Sequence, residues 1–137
     1  MSDCIFCKIV SKDIPAEIVE EGDGYLAFLD INPRSPGHSV VISRHHSESL
    51  LDLPDEHVGN LFLGVKKVAE RLTKALSPDG LTFGINQGEV SGQTVKHLHV
   101  HILPRFTRDM GGSVHGVVNN PPPEPISEIA NKIRNIK

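Results

Sequence analysis

Apolar and polar residues alternate most regularly in His97-Leu98-His99-Val100-His101-Ile102-Leu103. A period of two predicts a β-strand, whose side chains point to opposite faces in turn. His97, His99 and His101 then line one side, with Leu98, Val100 and Ile102 against the core on the other. Neighbours on one face lie ~7 Å apart, twice a rise of about 3.3 Å per residue, so several imidazoles can converge on one anionic group. Pro104 is predicted to end the strand. A period of three to four marks the strongest helix, with Val58, Leu61, Phe62, Val65, Val68, Ala69 and Leu72 on its apolar side. Asp52 or Asp55 is placed to cap its start and Ser77-Pro78-Asp79-Gly80 to stop it.

Shorter patterns fill the rest. Ile5, Phe6, Ile9 and Val10 predict a short amphipathic helix within residues 4–14. Strands are predicted at Glu17–Glu21 and Tyr25–Ile31, joined by Gly22-Asp23-Gly24, then at His38–Ser43 and Leu81–Asn86. Asn32–Gly37 and Gln87–Thr94 read as loops. Residues 106–125 form a long loop with Gly111-Gly112 and three prolines at 121–123. Ile126, Ile129, Ile133 and Ile136 then give a C-terminal helix over 126–137. The fold class is α+β, an antiparallel sheet with one long helix and short terminal helices. Strand pairs separated by one long helix suggest helices on one face of the sheet. Residues 1–137 read as a single domain, with no linker dividing them.

Composition narrows the classes. A net charge of −3 and a pI near 6.2 give no basic field for nucleic acid. No stretch is long and apolar enough for a membrane span, and the first residues do not read as a signal peptide, so a cytoplasmic location is expected. Trp is absent, so the core rests on Val, Ile and Leu. Cys4 and Cys7 sit too close for a disulfide framework, and in a reducing compartment the pair reads first as metal-binding or redox. A zinc site needs two further ligands, for which His45, His46 and His97 are candidates.

The loop Gly92-Gln93-Thr94 directly precedes the histidine strand, where main-chain N–H groups and a hydroxyl can face a phosphate. Asn86 closes the strand before it. In these residues the chain resembles the histidine triad (HIT) family, whose signature is His-φ-His-φ-His-φ-φ with φ apolar; residues 97–103 match it throughout. Ile5-Phe6-Cys7-Lys8-Ile9, Leu26 to Ile31 and Gly37-His38 through Ile42 match further motifs of the family, and only about the last 30 residues are weakly covered.

The resemblance implies the HIT-like fold and nucleotidyl hydrolysis or transfer at an α-phosphate. His99 is implied as the nucleophile, forming a nucleotidyl-histidine that water resolves to a nucleoside monophosphate. His101 would hydrogen-bond the phosphoryl oxygens and assist the leaving group, with His97 and His38 completing the catalytic set. Gly92, Gln93 and Thr94 would hold the equatorial oxygens, Asn86 the phosphate or ribose, and Asp30 the ribose hydroxyls. Phe6, Ile9, Phe28, Leu29, Ile31 and Val40 would form the slot for a purine base. Zinc-binding relatives imply a structural Zn²⁺ on Cys4, Cys7, His46 and His97. Members are typically homodimers, which would use residues 58–72.

Branch features are mixed. Leu103-Pro104-Arg105 is similar to Fhit-like proteins, while Ile5–Ile14 and Gly92-Gln93-Thr94 are similar to Hint proteins. Leu29 stands where the best-known Hint proteins carry histidine, and their tryptophan-containing C-terminus is missing. Chain length and the implied zinc ligand set resemble a zinc-binding bacterial or archaeal type between the two, so both nucleoside phosphoramidates and dinucleoside polyphosphates are candidate substrates. Arg105 is a candidate contact to a distal phosphate, with an exposed surface arginine the alternative; His115 receives no role. Two other classes compete: a nucleotide-binding regulatory or scaffold protein that hydrolyses incidentally, and a small zinc module for nucleic acid. The acidic balance and scarce aromatics disfavour the latter.

Overall fold

The computed structural model describes residues 3–137; Met1 and Ser2, part of the domain read from sequence, lie outside the described residues. Strands β1 (Ile18–Gly22), β2 (Tyr25–Leu29), β3 (Ser39–Ser43), β4 (Gly80–Gly84) and β5 (His99–Arg105) form one sheet in the order β1-β2-β3-β5-β4. Every neighbouring pair is antiparallel. Helices α1 (Ile5–Val10), α2 (Asp55–Leu76) and α3 (Ile126–Arg134) complete the α+β fold. No helix among the described residues is long and apolar enough to cross a membrane.

The helices do not share one face of the sheet, as strand order alone suggests. β2 (YLAFL) and β3 (SVVIS) carry apolar side chains at both parities, so each face needs its own cover. Tyr25, Ala27, Val41, Leu98, Val100 and Ile102 pack beneath Leu61, Val65, Val68 and Leu72 of α2. Leu26, Phe28, Val40 and Ile42 point the other way, where Ile9 of α1 joins them with Phe6 and Val10 alongside. The histidines of β5 share this second face, so α1 packs next to them.

Three boundaries depart from the sequence pattern. β5 begins at His99, because the Leu98 N–H bonds to the Ser47 carbonyl at 2.7 Å and not to a strand. It also runs through Pro104. The last residue of β5 paired with β3 is Ile102, so at Pro104 only β4 lies alongside and one edge needs no donor. Neither Asp52 nor Asp55 caps α2. Pro54 holds that place without a side-chain bond, Asp55 is the first helical residue, and Asp52 accepts the Ser49 hydroxyl. The predicted stop is found: Ser77 takes a left-handed conformation (φ 49°) and donates its N–H to Thr73.

Gly64 lets α2 approach the sheet. A Cβ there would run into the Tyr25 ring, which is itself buried and held by its hydroxyl donating to Glu20. Helix propensity alone favours Gly64→Ala by about 1 kcal/mol, whereas overpacking a core costs about 1–3 kcal/mol. Packing should win, so Gly64→Ala is expected to destabilise the fold. Gly59→Ala, on the open side of the same helix with nothing within 4 Å, should stabilise it. Urea midpoints of the two variants check this; shifts in the same direction would refute the Tyr25 contact as the cause.

Candidate active site

β5 presents His99 and His101 on the face opposite α2, and His97 precedes them on the same side. His97 and His99 are buried, and His101 is half-buried. The ring of Phe6 meets both His97 and His99 edge-on, at centroid distances of 5.9 and 5.2 Å. The short helix carrying the cysteines therefore braces these two rings.

Main-chain groups decide where the imidazole protons sit. A neutral imidazole has one N–H and one bare nitrogen, and a carbonyl can only accept. His99 Nδ1 lies 2.7 Å from the His97 carbonyl, so Nδ1 carries the proton and Nε2 is bare. His97 Nε2 lies 2.8 Å from the Ser43 carbonyl, so its bare nitrogen is Nδ1. His38 is buried beside them, with Nε2 at 3.0 Å from His101 Nδ1 and 3.6 Å from Asp30 Oδ2. Burial is the main cause that holds His97, His101 and His38 neutral. It lowers His97 and His101 to about 4, and it lowers His38 against the opposing pull of Asp30. The neighbouring His99 and His38 push His101 further down.

His97 Nδ1 faces a second cluster. It lies 3.4 Å from Cys4 Sγ, 3.6 Å from Cys7 Sγ and 3.2 Å from His46 Nδ1, and Cys7 Sγ is 3.2 Å from His46 Nδ1. Cys4 also accepts the Cys7 N–H at the start of α1. The four donor atoms all lie within 4.8 Å of one another and can hold a metal ion. Without one, burial and the adjacent Cys4 raise the Cys7 thiol. His45 stands apart, stacked on His57.

The residues assigned to the base fall into two layers. Ile9, Phe28 and Val40 are core, at most 6% exposed, and form a floor. Phe6 and Leu29 are half-buried, while Ile31, past the end of β2, is 90% exposed. Leu29, Asp30 and His38 line an open groove of about 420 Å³ with the 33–37 loop. Asp30 Oδ1 accepts the Asn32 N–H in a local turn, leaving Oδ2 toward His38. Asn86 lies two residues beyond β4 with its amide beside Gly92.

In the 87–94 loop the main-chain N–H groups of Gly92 and Gln93 are taken by Glu89 and Gly88. The Gln93 side chain is a staple, accepting from Gly88 N–H and donating to the Glu48 and Val95 carbonyls. Among the described residues, Thr94 is the member of this trio whose N–H and hydroxyl remain uncommitted. Arg105 is neither an exposed arginine nor free for a distal phosphate. Its guanidinium grips both Asp109 oxygens and bonds to Thr82 and to the Gly112 carbonyl, fastening the 106–112 loop. The pair holds the Asp109 carboxyl far below the usual range. Its i, i+4 charge spacing was the available signal. His115 is exposed and, among the described residues, hydrogen-bonds only with Ser113. The carbonyls of Ser43 and His97 left no trace in the sequence, because every residue type offers one.

Burial fixes a sign for acid stability. His101 is lowered from 6.5 to about 4 in the fold, so the unfolded chain takes up this proton first as pH falls. The stabilising effect is complete above pH 6.5 and is lost as pH drops through about 4. Urea unfolding between pH 7 and pH 4 is expected to show steadily falling stability. A flat profile would mean that the ring is not held neutral.

The family profile described as the HIT domain matches residues 11–108. An adenosine 5′-monophosphoramidase of Schizosaccharomyces pombe is 39% identical over 135 residues, covering 96% of this chain and 98% of that protein. The crystal structure of a HIT family member from Bacillus subtilis superposes with a TM-score of 0.87 at 35% identity, covering 98% of each chain. A Zn-bound histidine triad family protein from Mycobacterium smegmatis gives a TM-score of 0.74 at 34% identity, over 90% of this chain and 85% of that one. With profile, sequence and fold in agreement over most of its length, the chain belongs to the HIT family.

Proposed function

We propose that the chain is a hydrolase of purine nucleotide conjugates, nucleoside phosphoramidates or dinucleoside polyphosphates, working through a nucleotidyl-His99 intermediate. The observation that carries this reading is the His99 Nδ1 contact to the His97 carbonyl at 2.7 Å, which bares Nε2 as a neutral nucleophile. Such a nitrogen needs no base to activate it. Its lone pair forms the N–P bond as the bond from phosphorus to the leaving group breaks, and that group takes the electron pair. Water then attacks phosphorus, the N–P electrons return to Nε2, and the surplus proton passes to solvent with release of nucleoside monophosphate. Two displacements replace one harder step. The free Thr94 N–H and hydroxyl suit the equatorial oxygens, and the Gln93 staple holds that loop in place. Asp30 suits the ribose diol, with Phe6, Leu29 and Ile31 around the base. The phosphoramidase from fission yeast supports this substrate class.

The same reading gives Zn²⁺ to Cys4, Cys7, His46 and His97. Zinc at about 2.3 Å from sulfur and about 2.0 Å from nitrogen sets ligand atoms about 3.3–3.8 Å apart. The four separations of 3.2–3.6 Å fit that geometry, and the Zn-bound mycobacterial relative supports it. Four protein donors leave no open position, so the ion would supply structure by fastening α1 to the segment before β5. A second copy is proposed against α2, where Phe62 and Leu63 stay 39% and 50% exposed beyond the core stripe.

His99→Ala should lower monophosphate release from adenosine 5′-phosphoramidate and from diadenosine polyphosphates by at least about a thousandfold, with adenosine monophosphate binding retained. Wild-type turnover in that variant would overturn the mechanism, and binding without turnover in the native chain would favour a nucleotide-binding role. Metal analysis is expected to find about one zinc per chain, reduced by Cys7→Ser; less than about a tenth of an equivalent, with no uptake of added zinc, rejects the site.

A further inference from the structure

The face of β5 that carries the histidines continues past them. Leu103 and Arg105 follow His99 and His101 at the same parity, both half-buried, and Thr82 of β4 pairs beside Leu103. Each step along that face is ~7 Å, twice a rise of about 3.3 Å per residue. Arg34 and Ser35 of the 33–37 loop close the other side, and with the 106–112 loop these residues line a cleft of about 210 Å³. Arg34 and Ser35 also wall the larger groove that holds Asp30 and His38, so the two hollows adjoin. The main chain fixes this shared wall. The Arg34 N–H donates to His38 Nδ1 and the Ser35 carbonyl accepts the His38 N–H, each at 3.1 Å.

The cleft offers donors and an unbalanced positive charge. Arg105 and Asp109 neutralise one another through two contacts. The Arg34 side chain is exposed and, among the described residues, makes no hydrogen bond or ion pair. Its charge is felt at the site, as one of the causes that lower His38. Thr82 Oγ1 accepts from Arg105, which leaves its own hydrogen to donate. Ser35 is half-buried as a residue, but its Oγ is buried without a hydrogen-bond partner. Turning that hydroxyl toward the cleft breaks no bond, and an oxyanion there would satisfy it. The volume falls below the ~300–1,000 Å³ of pockets that take drug-sized molecules, so the cleft suits one tetrahedral oxyanion and not a second nucleoside.

We propose that this cleft is the subsite for the group beyond the scissile bond, where Arg34 reads a tetrahedral oxyanion, and that the chain therefore favours conjugates releasing a phosphate- or sulfate-bearing group over those releasing an amine. A conjugate with its ribose at Asp30 can lay that group over the shared wall into the cleft. As the bond from His99 Nε2 to phosphorus forms, the bridging oxygen departs with the electron pair of the breaking P–O bond. The Arg34 guanidinium stands beside the anion that carries it away. An uncharged amine gains nothing from that cation.

The effect on turnover rests on the proposed reaction, whereas the subsite can be read by binding alone. Calorimetric titration of the His99→Ala chain with adenosine 5′-diphosphate and adenosine 5′-monophosphate compares ligands that differ by one oxyanion. The diphosphate should bind about tenfold tighter, the worth of one hydrogen bond to a charged group. Adding Arg34→Gln, which keeps the main-chain contact to His38, should erase that advantage, and Arg34→Lys should retain part of it. Equal affinity for the two nucleotides, or an advantage that survives Arg34→Gln, overturns the inference whatever the activity. In the chain with His99 intact, kcat/KM for diadenosine triphosphate and for adenosine 5′-phosphosulfate is taken relative to adenosine 5′-phosphoramidate. Arg34→Gln should lower these ratios by about tenfold. A fall in one ratio alone identifies phosphate or sulfate as the group the cleft takes, and a fall in neither overturns the inference. No turnover of any conjugate, with the diphosphate advantage present and lost in Arg34→Gln, fails the proposed reaction and upholds the subsite.

Discussion

Each buried imidazole has one proton to place, and the main chain on this face of the sheet leaves it little choice. The Ser43 carbonyl takes the His97 proton, the His97 carbonyl takes the His99 proton, and the Arg34 N–H refuses one to His38 Nδ1. Exposed histidines would exchange tautomers and protons freely near neutral pH. At His38, His97 and His101 burial removes that freedom by penalising the charged form, so carbonyl and amide positions become instructions about chemistry. The rest of the fold keeps those main-chain groups in place. Central β5 lies between β3 and β4, α2 fills the face beneath, and α1 braces the rings from above.

Much of this was legible in the sequence. The 97–103 alternation, the 58–72 periodicity and the glycine turn before Tyr25 each mark one element, because side-chain burial follows strand and helix geometry directly. Consecutive apolar residues in Leu26-Ala27-Phe28 also implied two covered faces, although strand order suggested one. What the sequence could not show was hydrogen bonding by groups that all residues share. Nothing in Ser43 or Arg34 as residue types marks their contacts to the histidines, since a carbonyl and an N–H make them. Gln93 shows the same limit. Its side chain ties the loop to Gly88, Glu48 and Val95, and nothing in Gly92-Gln93-Thr94 as residue types announces that staple.

The cysteine cluster and His99 meet in one residue, His97. His97 offers its Nδ1 to the cysteine cluster and its carbonyl to His99, and the Phe6 ring between Cys4 and Cys7 touches both imidazoles. α1 is only six residues long, too short to persist by helix propensity. Its position rests on what it packs against and on the contacts of Cys4 and Cys7 with His97 and His46. An ion on Cys4, Cys7, His46 and His97 would therefore do more than fasten the N-terminal segment. It would bind the bare nitrogen of His97, fix that ring against Ser43 and so keep the carbonyl aimed at His99. A structural site placed there would serve the proposed chemistry without entering it, because the group it would steady is the one that bares His99 Nε2.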